Sequence, residues 1–297
     1  MFIEKLLKTV KFAAIWMLGS MSLKGGSESW ETVERGPFSG SGDLQWVGDL
    51  SAFEIDSATW PREFDLVGSR SLRSAESAES STSTVVTDIS DEFDASQDFS
   101  WSIYVSGNSA EITTGKRIDL ILLSDSGDSS KLELPDSINA YKLSLWDPVS
   151  GGSPGHAGAA LSDSLSLWKV SSSDSAWELI GSYELMSPAN LNQGWNFSVN
   201  RSATGQWTVA FANGPSGTPV GAPVITAEDN SLTLDGGSHF SGLGVLTTSG
   251  DSHDFGFDNF SATPASIPEV AHTGWLLSAT IGYFALLRFK RQKKSSI

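Results

Sequence analysis

The feature that most constrains this chain is the period of its apolar residues. In the stretch "DFSWSIYVSG", Phe99, Trp101, Ile103 and Val105 recur at every second position, with Ser100, Ser102, Tyr104 and Ser106 between them. A period of two puts alternate side chains on opposite faces of an extended strand. No long stripe at the helical period of 3.6 runs through the body of the chain, and Gly, Ser, Asp and Asn punctuate the short apolar runs. The body is therefore expected to be all-β.

Further stretches extend the pattern. "KRIDLILLSD" is apolar on both faces near its end and predicts a central strand. "WNFSVNRSATGQWTVAF" predicts a hairpin, with Phe197 and Val199 leading in, "SATG" turning, and Trp207, Val209 and Phe211 leading back. "GLGVLTTSGDSHDFGFDNFSA" predicts two strands around a polar turn, with Phe255, Phe257 and the region of Phe260 closing a sheet. "KLSLW" at 142–146 is echoed by "SLSLW" at 164–168 across a Pro/Gly-rich connection, as one hairpin with a long loop would be. "WVGDLSAFEID" in the 30–75 segment predicts an edge strand, and "SRSLRSAESAESSTSTVV" an exposed loop leading into a strand.

Charge narrows the partners. The chain of 297 residues carries a net −16. Nine of its 19 basic residues lie at the two ends: Lys5, Lys8, Lys11, Lys24, Arg288, Lys290, Arg291, Lys293 and Lys294. The body is thus more acidic than the total indicates. Such a body repels phosphate backbones, so no nucleic-acid partner is expected. The chain has no cysteine, which excludes disulfides, Cys-ligated zinc, iron–sulfur clusters and a Cys nucleophile. Its four histidines, His156, His239, His253 and His272, are too few and too scattered for a His-rich centre.

The ends carry addressing signals. Lys5, Lys8 and Lys11 precede a short apolar stretch, Phe12 to Leu23, the order of a secretory signal peptide over residues 1–27. A buried amphipathic helix is the plainer alternative. Residues 270–289 form an apolar run of about 20 residues, long enough for a transmembrane helix. The basic cluster after it keeps that end cytoplasmic and sets the preceding body outside. Pro268-Glu269, the apolar run and the basic end, in that order, resemble the PEP-CTERM sorting tail of bacterial exported proteins, here spanning 264–297. Val270 stands where that family carries its second proline. The resemblance implies an exosortase-type sorting protease as partner and a transient membrane anchor. The expected localisation is export, anchoring in the cytoplasmic membrane, then the cell surface or the extracellular space.

The body, 28–263, resembles a concanavalin A-like, LamG-type jelly roll, best matched over 90–262. The residues that carry this are "FSWSIYV", "IDLILLSD", the "YKLSLW" and "DSLSLWKV" pair, "VNRSATGQWTVAF" and "FGFDNFSA". The resemblance implies an antiparallel two-sheet β-sandwich, in a family whose members bind sugars, catalyse their hydrolysis or do neither.

Three sets of residues are candidates for function. In "FEIDSATW" Glu54 and Asp56 share a face, as paired-carboxylate hydrolysis requires, but Ala58 and Thr59 stand where a third acid would be. The plainer reading is an edge strand with solvated acids. Trp146 and Trp168 follow identical Leu-Ser-Leu runs and project opposite to their leucines. If the leucines face the core, the two indoles form an outward platform for sugar rings, with His156 in the adjoining loop; otherwise they are core residues. Trp101 and Trp207 sit in phase with core positions and are structural. Asp251, Asp254, Asp258 and Asn259 offer hard oxygen ligands near a turn, a candidate structural Ca²⁺ site without EF-hand spacing. The expectation is a non-catalytic protein that binds or structures extracellular polysaccharide. The alternatives are a structural or adhesive surface protein with no defined glycan ligand and, more distantly, a glycoside hydrolase.

Overall fold

The structure, a computed structural model, describes residues 26–57, 70–74, 81–107, 117–132, 134–146, 164–173, 176–184, 194–213, 222–232, 237–247 and 255–265. The expected signal peptide before Gly26 and the expected transmembrane and sorting segment from 266 onward lie outside the described residues. Among the described residues no helix is long and apolar enough to cross a membrane.

The described strands form two antiparallel sheets. The larger contains β1 (Gly26–Glu28), β2 (Gly36–Pro37), β4 (Phe53–Ser57), β5 (Arg70–Ser74), β7 (Phe99–Gly107), β12 (Trp195–Arg201), β13 (Gln206–Asn213), β14 (Ile225–Glu228) and β16 (Phe255–Pro264). The smaller contains β3 (Trp46–Gly48), β6 (Ser81–Asp88), β8 (Arg117–Ser124), β9 (Ala140–Trp146), β10 (Ser164–Val170), β11 (Glu178–Glu184) and β15 (Phe240–Thr247). In space the larger sheet runs β14-β13-β12-β7-β16-β5-β4-β2, with β1 on β16; the smaller runs β11-β10-β9-β8-β15-β6-β3. Among the described residues the helical content is three single 3₁₀ turns, at Leu50–Ala52, Ser129–Lys131 and Pro135–Ser137.

Alternation places the core between the sheets. Trp101, Ile103, Val105, Val199, Trp207 and Phe257 of the larger sheet meet Leu120, Leu143, Leu165, Leu167 and Val245 of the smaller in one buried cluster. Each such side chain contributes roughly 1.5–3 kcal/mol of burial. The cavity left among Ile103, Ile118, Leu143 and Leu243 is about 20 Å³, no more than one water's worth of room. Trp101 stacks on Trp207 at 5.7 Å between ring centres, as structural tryptophans should.

The expected hairpins form. Phe197 pairs with Phe211 and Val199 with Val209; Leu165 pairs with Leu145 and Leu167 with Leu143. "KRIDLILLSD" becomes β8, flanked by β9 and β15 in the middle of the smaller sheet. "WVGDLSAFEID" supplies β3 to one sheet and β4 to the other. The two strands expected in "GLGVLTTSGDSHDFGFDNFSA" form as β15 and β16, and they lie in opposite sheets rather than paired with each other. Each already has two neighbours there, β6 and β8 for β15, β5 and β7 for β16.

Candidate functional site

The side of the smaller sheet that faces away from the inter-sheet core is polar and buried at once. In β8, Ile118 and Leu120 point into the core, so Arg117, Asp119 and Ile121 point the other way. Strand pairing then lines up a row across five strands. Ser166 of β10 is opposite Ser144 of β9, which is opposite Asp119. Asp119 is opposite Gly244 of β15, which is opposite Thr84 of β6. Every side chain of that row is at most 2% exposed.

Asp119 is its electrostatic centre. Its Oδ2 lies 2.8 Å from Arg117 Nε and 3.3 Å from Lys142 Nζ, and its Oδ1 accepts a hydrogen bond from Ser144 Oγ. The Arg117 Nε–H is not aimed at the carboxylate, so that contact is coulombic rather than a hydrogen bond. Lys142 Nζ also sits 4.3 Å from the centre of the Trp177 ring, a cation–π contact. Beside the ions lies a second apolar cluster of Val86, Ile121, Leu132, Ile138, Trp168 and Trp177. Removing one partner from such a buried ionic set costs about 3–5 kcal/mol, because the remaining charge stays desolvated.

Trp168 is on this face, opposite to Leu165 and Leu167 as its spacing requires. It is 2% exposed, however, so the expectation of an open platform at Trp168 is corrected. Leu132 and Ile138, on the turns that follow β8, close over it together with Trp177. Alternation fixes the face of a side chain and says nothing about what folds over that face. Trp146 ends β9 opposite Ser164, whereas Trp168 is opposite Lys142. The two tryptophan positions are therefore four residues apart along the hairpin, roughly 13 Å. His156 lies outside the described residues, as do Asp251, Asp254, Pro268 and Glu269.

Asp258 and Asn259 are described. They sit in a bulge of β16, where the register to β7 shifts between Asp258 and Ser261. Asn259 adopts a left-handed φ of 52°, and its N–H donates to Asp258 Oδ1 at 2.8 Å. Asp258 is wholly buried, on the face of the larger sheet away from the core, opposite Tyr104. Burial pushes its carboxyl up to about 7; the Asn259 N–H opposes that rise and the Glu31 charge adds to it. Burial, with the Asp258 charge behind it, pushes the Tyr104 hydroxyl up to about 12. Among the described residues no three His, Asp or Glu side chains gather closely enough to form a metal centre by themselves.

Glu54 and Asp56 do share a strand face, but Asp56 is ion-paired with Arg73 at 3.1 Å, and Arg73 stands opposite Glu54 in the β4–β5 register. A carboxylate held this way balances a buried guanidinium rather than standing ready as an acid or nucleophile. The sequence reading missed Arg117, Asp119, Lys142 and Trp177. A signal was present: Asp119 between Ile118 and Leu120, and Lys142 between Tyr141 and Leu143, are charges inside apolar strands.

No protein-family model matches the chain, and no curated protein matches it. Among solved structures it is similar to the carbohydrate recognition domain of Emp47p, with 10% identity, 83% of this chain and 100% of that chain covered, and a TM-score of 0.47. It is also similar to the protein of unknown function SO2946 from Shewanella oneidensis MR-1, with 11% identity, coverage of 82% and 89%, and a TM-score of 0.48. A third is the VIP36 exoplasmic/lumenal domain in its Ca²⁺/Man-bound form, with 12% identity, coverage of 73% and 84%, and a TM-score of 0.46.

Proposed function

We propose that the chain is an exported, non-catalytic protein that binds or structures extracellular polysaccharide, and that the outer face of the smaller sheet organises its recognition. The observation that carries this reading is the row of Ser166, Ser144, Asp119 and Thr84, with Arg117, Lys142, Trp168 and Trp177 beside it. A sheet face closed only by its own chain costs least when it is apolar. This one holds hydroxyls, a carboxylate, a guanidinium and an ammonium next to indole rings. Hydroxyls and charged groups of this kind are those that hydrogen-bond sugar hydroxyls. The ion pair of Asp56 with Arg73 speaks against hydrolysis at the Glu54–Asp56 strand. Export, exosortase-type processing and transient anchoring rest on the Lys5–Lys8–Lys11 start, Pro268-Glu269 and the apolar-then-basic end.

The near-complete burial of the same groups favours a second reading, a structural or adhesive surface protein with no glycan ligand. One experiment separates the two. The full chain and its Ser166→Ala and Asp119→Asn variants are passed over a panel of soluble and insoluble glycans, with melting temperature measured in parallel. Retention of the wild type, weakened in Ser166→Ala at unchanged melting temperature, is the expected result. A wild type retained by no glycan would leave the structural reading.

A further inference from the structure

The first strand of the fold constrains where the expected leader can end. Signal-peptidase cuts follow small residues spaced two apart. Between Phe12 and Trp30 that spacing occurs at Ser20 and Ser22, at Gly25 and Ser27, and at Ser27 and Ser29. Spacing alone thus leaves cuts after Ser22, Ser27 and Ser29 open. β1, Gly26–Glu28, separates them. It pairs antiparallel with β16, Gly26 with Ala262, Ser27 with Ser261 and Glu28 with Phe260. β5 pairs with β16 at Gly256 and Phe257, and β7 runs along the other side, so β1 is the partner that continues the ladder past the end of β5.

Glu28 does more than extend the ladder. It is 1% exposed. Its Oε1 accepts the Trp30 N–H at 2.9 Å and its Oε2 accepts the Leu44 N–H at 3.0 Å. Gly42 lies so close that a Cβ there would come within 2.2 Å of Oε2. Trp30 is wholly buried and held at a left-handed φ of 56°. Its ring lies 6.0 Å from that of Trp46, which meets Phe260 edge-on at 5.2 Å. A bulky residue keeps such a backbone angle only where its surroundings hold it there. A cut after Ser27 removes two of the three β1 residues and puts a terminal ammonium on a buried residue, at a desolvation cost. A cut after Ser29 also removes Glu28, which takes the acceptor from the Leu44 N–H and puts the ammonium on Trp30.

We propose that a signal peptidase cuts the Ser22–Leu23 bond, so that the mature chain begins Leu23-Lys24-Gly25 and enters β1 intact. The step is a hydrolysis: water gives its hydroxyl to the Ser22 carbonyl carbon and a proton to the Leu23 nitrogen as the peptide bond breaks. Lys5, Lys8 and Lys11 leave with the leader, together with the apolar run from Phe12 to Leu18. The inference rests on the export reading and moves the end of the leader from residue 27 to residue 22.

The test expresses the full chain in a bacterium with its own secretion machinery, fractionates the cells and sequences the N-terminus of the exported form. The expected N-terminus is Leu23. Ser22→Trp, which sets a bulky side chain beside the bond, should leave the leader attached. Ser27→Trp, at an exposed position of β1, should be processed like the wild type. Exported protein that begins at Glu28 or Trp30 overturns the proposed bond and leaves export standing. A chain that stays in the cytoplasm with its leader attached overturns both. The reason for keeping β1 is tested separately, by Glu28→Ala in the full chain. Its melting temperature should fall by about 4 °C or more, or its cooperative melt should be lost. A melt superposable on that of the wild type would remove the structural ground for the Ser22–Leu23 cut and overturn the inference, whatever became of export.

Discussion

Asp229 illustrates how single residues tie the two sheets together. It follows β14 at an edge of the larger sheet, yet its partners come from the smaller one. Tyr141 Oη donates to its Oδ1 at 2.7 Å and Lys169 Nζ to its Oδ2 at 2.6 Å. The N–H and hydroxyl of Ser231 both donate to Oδ1 at 3.0 Å. Burial pushes the Asp229 carboxyl up, but the bonds from Lys169, Ser231 and Tyr141 outweigh it, leaving the carboxyl below its ordinary 3.8. For Lys169 burial acts downward, while hydrogen bonds to Asp229 and Glu178 hold the ammonium above its ordinary 10.5. A depressed acid stabilises the fold above its unfolded value and loses that contribution as pH falls through the folded one. A raised base stabilises below its unfolded value and loses the contribution as pH rises through the folded one. The pair therefore stabilises fully across neutral pH and fails at both flanks. Asp229→Ala should cost about 3 kcal/mol at neutral pH. In urea unfolding at a series of pH values, the gap between wild type and variant should close as pH falls below the ordinary carboxylate range. A gap independent of pH would mean that packing, not charge, holds this corner. Trp168 admits an equally direct check. As a core residue its replacement by Ala should cost roughly 3–5 kcal/mol, read from the same unfolding curves; a change within error would return it to the surface.

Among the elements, the β12–β13 hairpin shows local chemistry deciding structure. Its turn closes with Gly205 N–H donating to Ser202 O at 2.9 Å, and Gly205 sits at φ +84°. A Cβ there would approach Asn230 Cβ to 2.6 Å and the Asp229 carbonyl oxygen to 2.8 Å. Gly205→Ala is expected to destabilise by more than about 1 kcal/mol, since both the dihedral angle and the space oppose it. A thermal melt superposable on that of the wild type would contradict this. Such a hairpin is legible in sequence because both its strands and its turn lie within one short window. So is the β9–β10 pair, whose matched leucines fix the register whatever the length of the loop between them. The assignment of strands to sheets is not legible in the same way. β15 and β16 are adjacent in sequence, and alternation describes each correctly, but their partners are β6, β8, β5 and β7 from far along the chain. The site failed to show for the same reason. Asp119, Lys142 and Ser144 meet only once β8 and β9 pair, and Trp168 is covered only once Leu132, Ile138 and Trp177 fold over it.

For the molecule as a whole, β16 is the strand on which closure depends. It lies inside the larger sheet between β7 and β5, and its outer end also receives β1, with Glu28 opposite Phe260. The first and last described strands therefore pair, and the fold closes only when nearly the whole chain has been gathered. Pairing of this range is slow to form, and refolding in the millisecond-to-second regime of all-β sandwiches is expected. The energetics point the same way. Phe255, Phe257 and Phe260 are 2%, 0% and 0% exposed. At about 2 kcal/mol each, their burial alone approaches the 5–15 kcal/mol net stability of an ordinary domain. A chain stopped before Phe255 should thus fail to fold, showing no cooperative urea transition and binding hydrophobic dyes. A chain stopped after Pro264 keeps every described strand and should unfold cooperatively, with a midpoint close to that of the full chain. The two truncations, compared by circular dichroism and urea titration, test the topology rather than any single contact. Cooperative unfolding of the shorter chain would place β16 outside the core of the fold. Loss of sheet structure in the longer one would mean that residues after Pro264 are needed for the sandwich itself.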